Sequence, residues 1–301
     1  MKKIISLIVL TVFAAFVFVS CEDENDATKG TLTLSITDAP IDMSTVSAVY
    51  LTINEIQYNK SGQNWMTFEG FEGPQKFNIL ELTRGESALL GSFELEAGTY
   101  TQLRFMLDVP EFGTPNPTNP GCYIEFNDGT EQQPLFVPSG HETGWKGIGA
   151  FKVPANGEVA VTADFDARKS VMEQGANDFY ILKPTIRLIV DNQAGQIAGG
   201  ITNIPDGNDI VVYAYEDGMY TESEADEPAA DTIAHFPNAV TSDISCEEEN
   251  YHLAYLAPMT YDLIITSAIE GEFQEVLGIV EDVVVESRKT TNQPIDLSSL
   301  K

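Results

Sequence analysis

The sequence predicts an all-β protein: two β-sandwich-like domains in tandem with very little helix. Three observations predict it. Apolar and polar residues alternate with period two through much of the chain, the pattern of strands with one buried face. Gly- and Pro-rich stretches such as 70–75, 113–121 and 138–144 interrupt that pattern, as surface turns do. The helical period is confined, before residue 190, to two short candidates at 79–83 and 168–174.

From the N-terminus, Met1-Lys2-Lys3 is a positive start and residues 4–19 are an apolar run broken only by Ser6 and Thr11. That is the layout of an export signal. Its sixteen residues reach about 24 Å as a helix, short of the roughly 30 Å hydrocarbon core, so cleavage is expected rather than spanning. The run ends in Phe18-Val19-Ser20-Cys21, which resembles a lipobox, with Phe18 where Leu is usual. The resemblance implies cleavage between Ser20 and Cys21 and a diacylglycerol thioether on the Cys21 sulfur. Lipidation there would anchor the chain, since each buried CH₂ contributes about 0.8 kcal/mol. Glu22-Asp23-Glu24-Asn25-Asp26 follows, an acidic block of the kind that stays solvated. It resembles the tether of surface-displayed lipoproteins of the Bacteroidetes group, which implies an outer-membrane, outward-facing location. Residues 1–20 are thus read as signal and 21–29 as lipidated tether.

The first domain is expected over 30–191. Thr31-Leu32-Thr33-Leu34-Ser35-Ile36-Thr37 alternates strictly, and Asp38-Ala39-Pro40 stops it. The same period recurs at 47–53, 99–109, 159–165 and 179–190, where Pro184 predicts a sheet edge or bulge. Asp191-Asn192-Gln193-Ala194-Gly195 reads as a boundary, and a second domain is expected over 195–301. Its strands are 210–215, 251–256, 261–265 and 279–285, at spacings suited to a sandwich, with the acidic stretch 220–231 as an exposed loop.

The chain carries 46 Asp and Glu against 16 Lys and Arg, a net charge of −30. Removing residues 1–20 takes away Lys2 and Lys3 and leaves −32. A surface of that sign repels phosphate backbones, which excludes nucleic acid as a partner. Besides Cys21 there are only Cys122 and Cys246, one in each expected domain, so neither a disulfide framework nor a zinc site is expected.

Several segments together resemble the domain-of-unknown-function family 4382 of bacterial lipoproteins. They are Leu34-Ser35-Ile36-Thr37-Asp38-Ala39-Pro40, Val49-Tyr50-Leu51-Thr52-Ile53-Asn54-Glu55-Ile56 and Phe77-Asn78-Ile79-Leu80-Glu81-Leu82. Ala97-Gly98-Thr99-Tyr100-Thr101-Gln102-Leu103-Arg104, Asp164-Phe165-Asp166 and Leu182-Lys183-Pro184-Thr185-Ile186-Arg187 complete the set. The resemblance implies an exported β domain and no known activity. Leu256-Ala257-Pro258-Met259-Thr260-Tyr261, followed by Val280-Glu281-Asp282-Val283-Val284-Val285 and Ile295-Asp296-Leu297, resembles prealbumin-like or carboxypeptidase-regulatory-like modules, with Met259 where Gly is usual. Such modules act as spacers or binding platforms.

Catalysis needs a nucleophile with a base, a metal cluster or a carboxylate pair in a pocket. His141, His235 and His252 stand at no metal-ligating spacing, and Ser139-Gly140-His141-Glu142 lacks a Gly-x-Ser-x-Gly elbow. No enzyme and no required cofactor are expected. Asp164 and Asp166, two apart on a strand, are expected to share a solvent face, and Asp206 and Asp209 flank an Asp-Gly turn. Both pairs are candidate calcium ligands, although calcium takes six to eight oxygens. Trp145, between Gly144 and Gly147, and Trp65 are the candidate rings for an external glycan, with Tyr213, Tyr215 and Tyr255 expected in strand packing. The expected function is a non-catalytic, lipid-anchored envelope protein that binds a glycan or protein partner, or serves as a spacer or subunit of an envelope complex.

Overall fold

The computed structural model describes residues 29–39, 46–60, 64–109, 121–137, 143–173, 180–183, 185–226, 228, 235–245 and 250–300. Thirteen strands of the first half form one sheet: β1 (Lys29–Ala39), β2 (Val46–Asn59), β3 (Met66–Thr67), β4 (Gln75–Asn78), β5 (Ala88–Glu96), β6 (Gly98–Leu107), β7 (Tyr123–Phe126), β8 (Gln133–Phe136), β9 (Trp145–Val153), β10 (Glu158–Asp166), β11 (Val171–Glu173), β12 (Tyr180–Leu182) and β13 (Ile186–Val190). The order is β11-β12-β8-β7-β2-β6-β9-β13-β10-β1-β5, with β3 and β4 also paired to β2. The sheet curls so that its distant parts meet. Phe68 packs at a tilt against Phe93 of β5, ring centres 4.5 Å apart, and Gln75 of β4 donates to the Leu90 carbonyl of β5 at 3.3 Å.

The alternation explains the core. Leu32, Leu34 and Ile36 of β1 are fully buried, and their partners across the parallel β1–β10 ladder, Val159, Val161 and Ala163, point the same way. At the expected proline break the strand stops at Leu182 and restarts at Ile186. β12 lies beside β8, whereas β13 lies between β9 and β10. Pro184 itself lies outside the described residues. The two helical candidates shrink to a 3-10 turn at Ile79–Glu81 and one α-turn, α1 (Ala167–Ser170). Asp166 caps α1 by accepting from the Lys169 main-chain N–H at 3.1 Å.

The second half has two facing sheets. One holds β17 (Asn250–Leu256), β14 (Gly195–Thr202), β20 (Thr290–Asn292) and β21 (Ile295–Asp296); the other holds β16 (Thr241–Ser245), β15 (Asp209–Glu216), β18 (Thr260–Ile269) and β19 (Glu272–Val284). Ile197, Val212, Leu253, Leu263 and Ile265 fill the space between. β15 and β18 are buried on their outer face too, because Tyr213, Tyr215, Phe236 and Ile264 form a second cluster there. The stretch 220–231, expected to be an exposed loop, is therefore partly buried, at Tyr220 and Glu224 among its described residues. Tyr220 packs edge-on to Tyr215, and the inward-turned Glu224 accepts from the Tyr215 hydroxyl at 2.9 Å.

The buried apolar clusters of the two halves share no residue; the first ends at Val190 and the second begins at Ile197. The halves nevertheless share one local device. The Tyr100 hydroxyl donates to the Glu96 carbonyl at 2.7 Å, and the Tyr261 hydroxyl donates to the Ala257 carbonyl at 3.0 Å. Each ring follows a Leu-x-x-x-x-Tyr step, Leu95 to Tyr100 and Leu256 to Tyr261, and each pins the entry to its strand in the manner of a tyrosine corner.

Candidate functional site

A cleft of about 730 Å³ receives side chains from both halves. One wall is the segment after the 3-10 turn. Thr37 of β1 donates its hydroxyl to the carbonyls of Leu82 and Glu86, at 2.8 and 2.7 Å, which clamps 82–86 to the end of β1. Within the clamp Arg84 (φ 58°) and Gly85 (φ 89°) are both left-handed. That reversal is uncommon for arginine. It sends the guanidinium into the second half, where Nε lies 3.2 Å from Asp243 Oδ2 and Nη2 donates to the Asn250 carbonyl at 3.2 Å and to Asn250 Oδ1.

The other wall is β14 and β17. Asp243 is 2% exposed, and its carboxylate also accepts the main-chain N–H groups of Ile244 at 2.9 Å and His252 at 2.7 Å. The His252 ring lies against Gly85, where a Cβ would come within 3.0 Å of Cε1, so the close approach requires glycine. Nε2 of His252 is 2.7 Å from the Gln196 amide. Burial holds the imidazole below its ordinary pKa; its hydrogen bond to the Arg84 carbonyl opposes that, and the Arg84 charge reinforces it. Tyr255 donates to the Gly85 carbonyl at 3.3 Å. Glu81, Thr83 and Glu86 line the opening together with Asn250, Asn292, Gly199 and Gly200. Such a surface offers hydrogen bonds of both senses to a hydroxyl-rich ligand.

The residues expected from the sequence fall elsewhere. Asp164 and Asp166 do not share a solvent face; both are 4% exposed. The Asp164 end of β10 lies against the second half. Asp164 lines a small cavity with Thr241 and Tyr255 and accepts from Arg187 Nε at 3.1 Å. Lys169 Nζ sits 3.2 Å from Asp166 Oδ2 and also donates to the Ala239 carbonyl. These carboxylates are held by the protein's own cations. Asp206 is exposed and Asp209 half-buried at the turn closed by the Asn208 N–H on the Pro205 carbonyl at 3.2 Å. Among the described residues no three of His, Cys, Asp and Glu converge as a metal-binding group.

Trp145 is not an exposed ring but 1% exposed. It opens β9 on the inner face, opposite Phe105 and edge-on to Phe165 at 4.8 Å. Gly147, two residues on, is packed against β13: a Cβ there would meet the Leu188 side chain at 2.8 Å. Trp65 is half-buried, with the Arg104 guanidinium 4.0 Å from its ring centre. Cys122 is fully buried, and burial pushes its thiol up to about 12, far from a nucleophile's range. Ser20, Cys21, Cys246 and the segment Ser139-Gly140-His141-Glu142 lie outside the described residues. Arg84, Asn250 and Asn292 were not singled out by sequence; the one available signal was an arginine beside a turn glycine in a chain poor in cations.

Comparison with known proteins places the chain as follows. Residues 29–184 match the family model described as Domain of unknown function (DUF4382). No curated protein matches. Among solved structures, the Bacillus anthracis TIE protein is 13% identical with a TM-score of 0.20, over 89% of this chain and 34% of that one. The Streptococcus agalactiae minor pilin GBS52 is 12% identical with a TM-score of 0.23, over 88% of this chain and 94% of that one. A fimbrial protein from Bacteroides ovatus is 10% identical with a TM-score of 0.21, over 90% and 49%. The chain thus spans about a third of the Bacillus anthracis protein and half of the Bacteroides one. With more than half of its 301 residues matched by the family model, the chain belongs to the DUF4382 family.

Proposed function

We propose that this DUF4382 protein is a non-catalytic, lipid-anchored component of the bacterial outer membrane, facing outward, that holds a glycan or a protein partner. The observation that carries the non-catalytic part is how its buried carboxylates are used. Asp164 is taken by Arg187, Asp166 by Lys169 and a helix N–H, and Asp243 by Arg84 and two main-chain N–H groups. Asp262 accepts from the main-chain N–H of Gly218 at 2.9 Å and of Asp282 at 3.3 Å. Groups so engaged support the fold rather than proton transfer. The anchor rests on Ser20-Cys21 and the acidic tether. The binding part rests on the polar cleft, since ligand sites favour the junctions between packed units. The division into 30–191 and 195–301 is supported by the two sets of buried clusters, and the prealbumin-like reading of the second rests on the segment from Leu256 to Tyr261. A spacer role is the second reading, favoured by the tandem order of those clusters.

The test is fractionation and protease shaving of intact cells expressing the wild type and Cys21→Ser. Wild type is expected in the outer membrane and accessible to protease, with Cys21→Ser released. A wild type recovered in the soluble fraction would overturn the anchor and with it the outward-facing reading.

A further inference from the structure

We infer that the junction between the two halves is an acid-released latch: protonation of His252 beside Arg84 frees the 82–86 segment from β17 and widens the cleft. The side-chain hydrogen bonds and ion pairs described across the junction are polar, among them Arg84 to Asp243 and Asn250, His252 to the Arg84 carbonyl, Tyr255 to the Gly85 carbonyl, and Lys169 to the Ala239 carbonyl. The buried apolar clusters do not bridge it. A contact made of charge and hydrogen bonds responds to a new charge in its midst far more than an apolar one does.

His252 sits where that charge would appear. Its hydrogen bonds do not hold the ring neutral: the Gln196 amide can present an oxygen to an imidazolium or an N–H to a neutral ring, and the bond to the Arg84 carbonyl favours the charged form. What decides it is the surroundings. From the first half, Arg84 lies against it, the exposed Glu81 and Glu86 line the cleft, and Asp38 and Asp164 line the small cavity behind. From the second half, Asp243, Tyr251 and Tyr255 flank it. The buried carboxylates are engaged: Asp243 by Arg84, Asp164 by Arg187 and Asp38 by the Ala167 main-chain N–H at 2.9 Å. Glu81 and Glu86 are screened by water. An imidazolium in this half-buried place, with its ring against Gly85, therefore loses hydration first of all and meets the Arg84 charge besides, and these together outweigh its bond to the Arg84 carbonyl.

The sign follows. A histidine whose folded-state pKa lies below its unfolded value binds fewer protons when folded, so the contact it supports holds above about pH 6.5 and weakens as pH falls through that value. Histidine is the group that titrates there, ahead of the ordinary carboxylates.

Small-angle scattering of the full mature chain, from about pH 7.5 down to about pH 5.5, reads the release as a reversible rise in radius of gyration. Near-UV circular dichroism should stay constant, showing that both cores remain folded. His252→Gln, which can keep the hydrogen bonds without titrating, is expected to stay compact throughout, and Arg84→Gln to be expanded at both ends. A wild type whose radius does not change, or a His252→Gln form that expands as the wild type does, would overturn the latch. Neither result bears on the membrane anchor, which the Cys21→Ser experiment tests separately.

Discussion

Trp145→Ala is expected to lower the unfolding free energy of the first half by about 3–5 kcal/mol, the usual cost of truncating a large buried aromatic. The ring is fully enclosed between Phe105 and Phe165, and Gly147 beside it has no side chain to move into the space left. Denaturant unfolding followed by far-UV circular dichroism reads the loss as a lower midpoint with an unchanged slope. Trp145→Phe, which keeps an aromatic in the slot, should lose less. The contrast is Trp65→Ala, which removes a partly exposed cation–π contact with Arg104 and should cost about 0.5–1 kcal/mol. Were the two alanine variants equally stable, the enclosed placement of Trp145 would be wrong.

The second large effect lies beneath the junction. Arg187→Met leaves the Asp164 carboxylate, 4% exposed, without its cation, and breaking a buried pair from one side costs about 3–5 kcal/mol. Replacing both, as Asp164→Leu with Arg187→Met, removes the stranded charge and should recover most of that loss. A double-mutant cycle on thermal or denaturant unfolding gives the coupling. If the double variant were as unstable as Arg187→Met alone, the loss would come from packing and not from the unpaired carboxylate.

These two sites also show what was legible in the sequence. Strict alternation placed β1, β2, β6 and β10 and the inward direction of their apolar residues, because period two leaves a one-sided strand no other choice. The same alternation put Asp164 and Asp166 on the outer face, which is where they are. It carried no information about the second half lying against that face, so an outward residue was read as a solvated one. Trp145 departs from its expected exposure for a related reason. Glycines at 144 and 147 look like loop punctuation, yet Gly147 is a strand residue whose missing side chain lets Leu188 of the neighbouring strand pack close. Strand partners were not legible at all. Leu34 pairs with Val161 in parallel, and no local pattern encodes a contact so distant along the chain. Arg84 went unnoticed because an arginine in a turn is ordinarily a surface charge; what gives it a role is a clamp from Thr37, which comes from another strand.

The paired tyrosine corners set a limit at the alkaline end that both halves share. Burial pushes the hydroxyls of Tyr100 and Tyr261 up to about 12. An unfolded phenol ionises near pH 10, so above that value the unfolded chain loses protons that the folded chain keeps, and folding weakens as pH rises. Two β units with separate cores and unrelated strand orders therefore meet base through the same chemistry. A titration of phenolate absorbance should find both rings silent until the fold gives way.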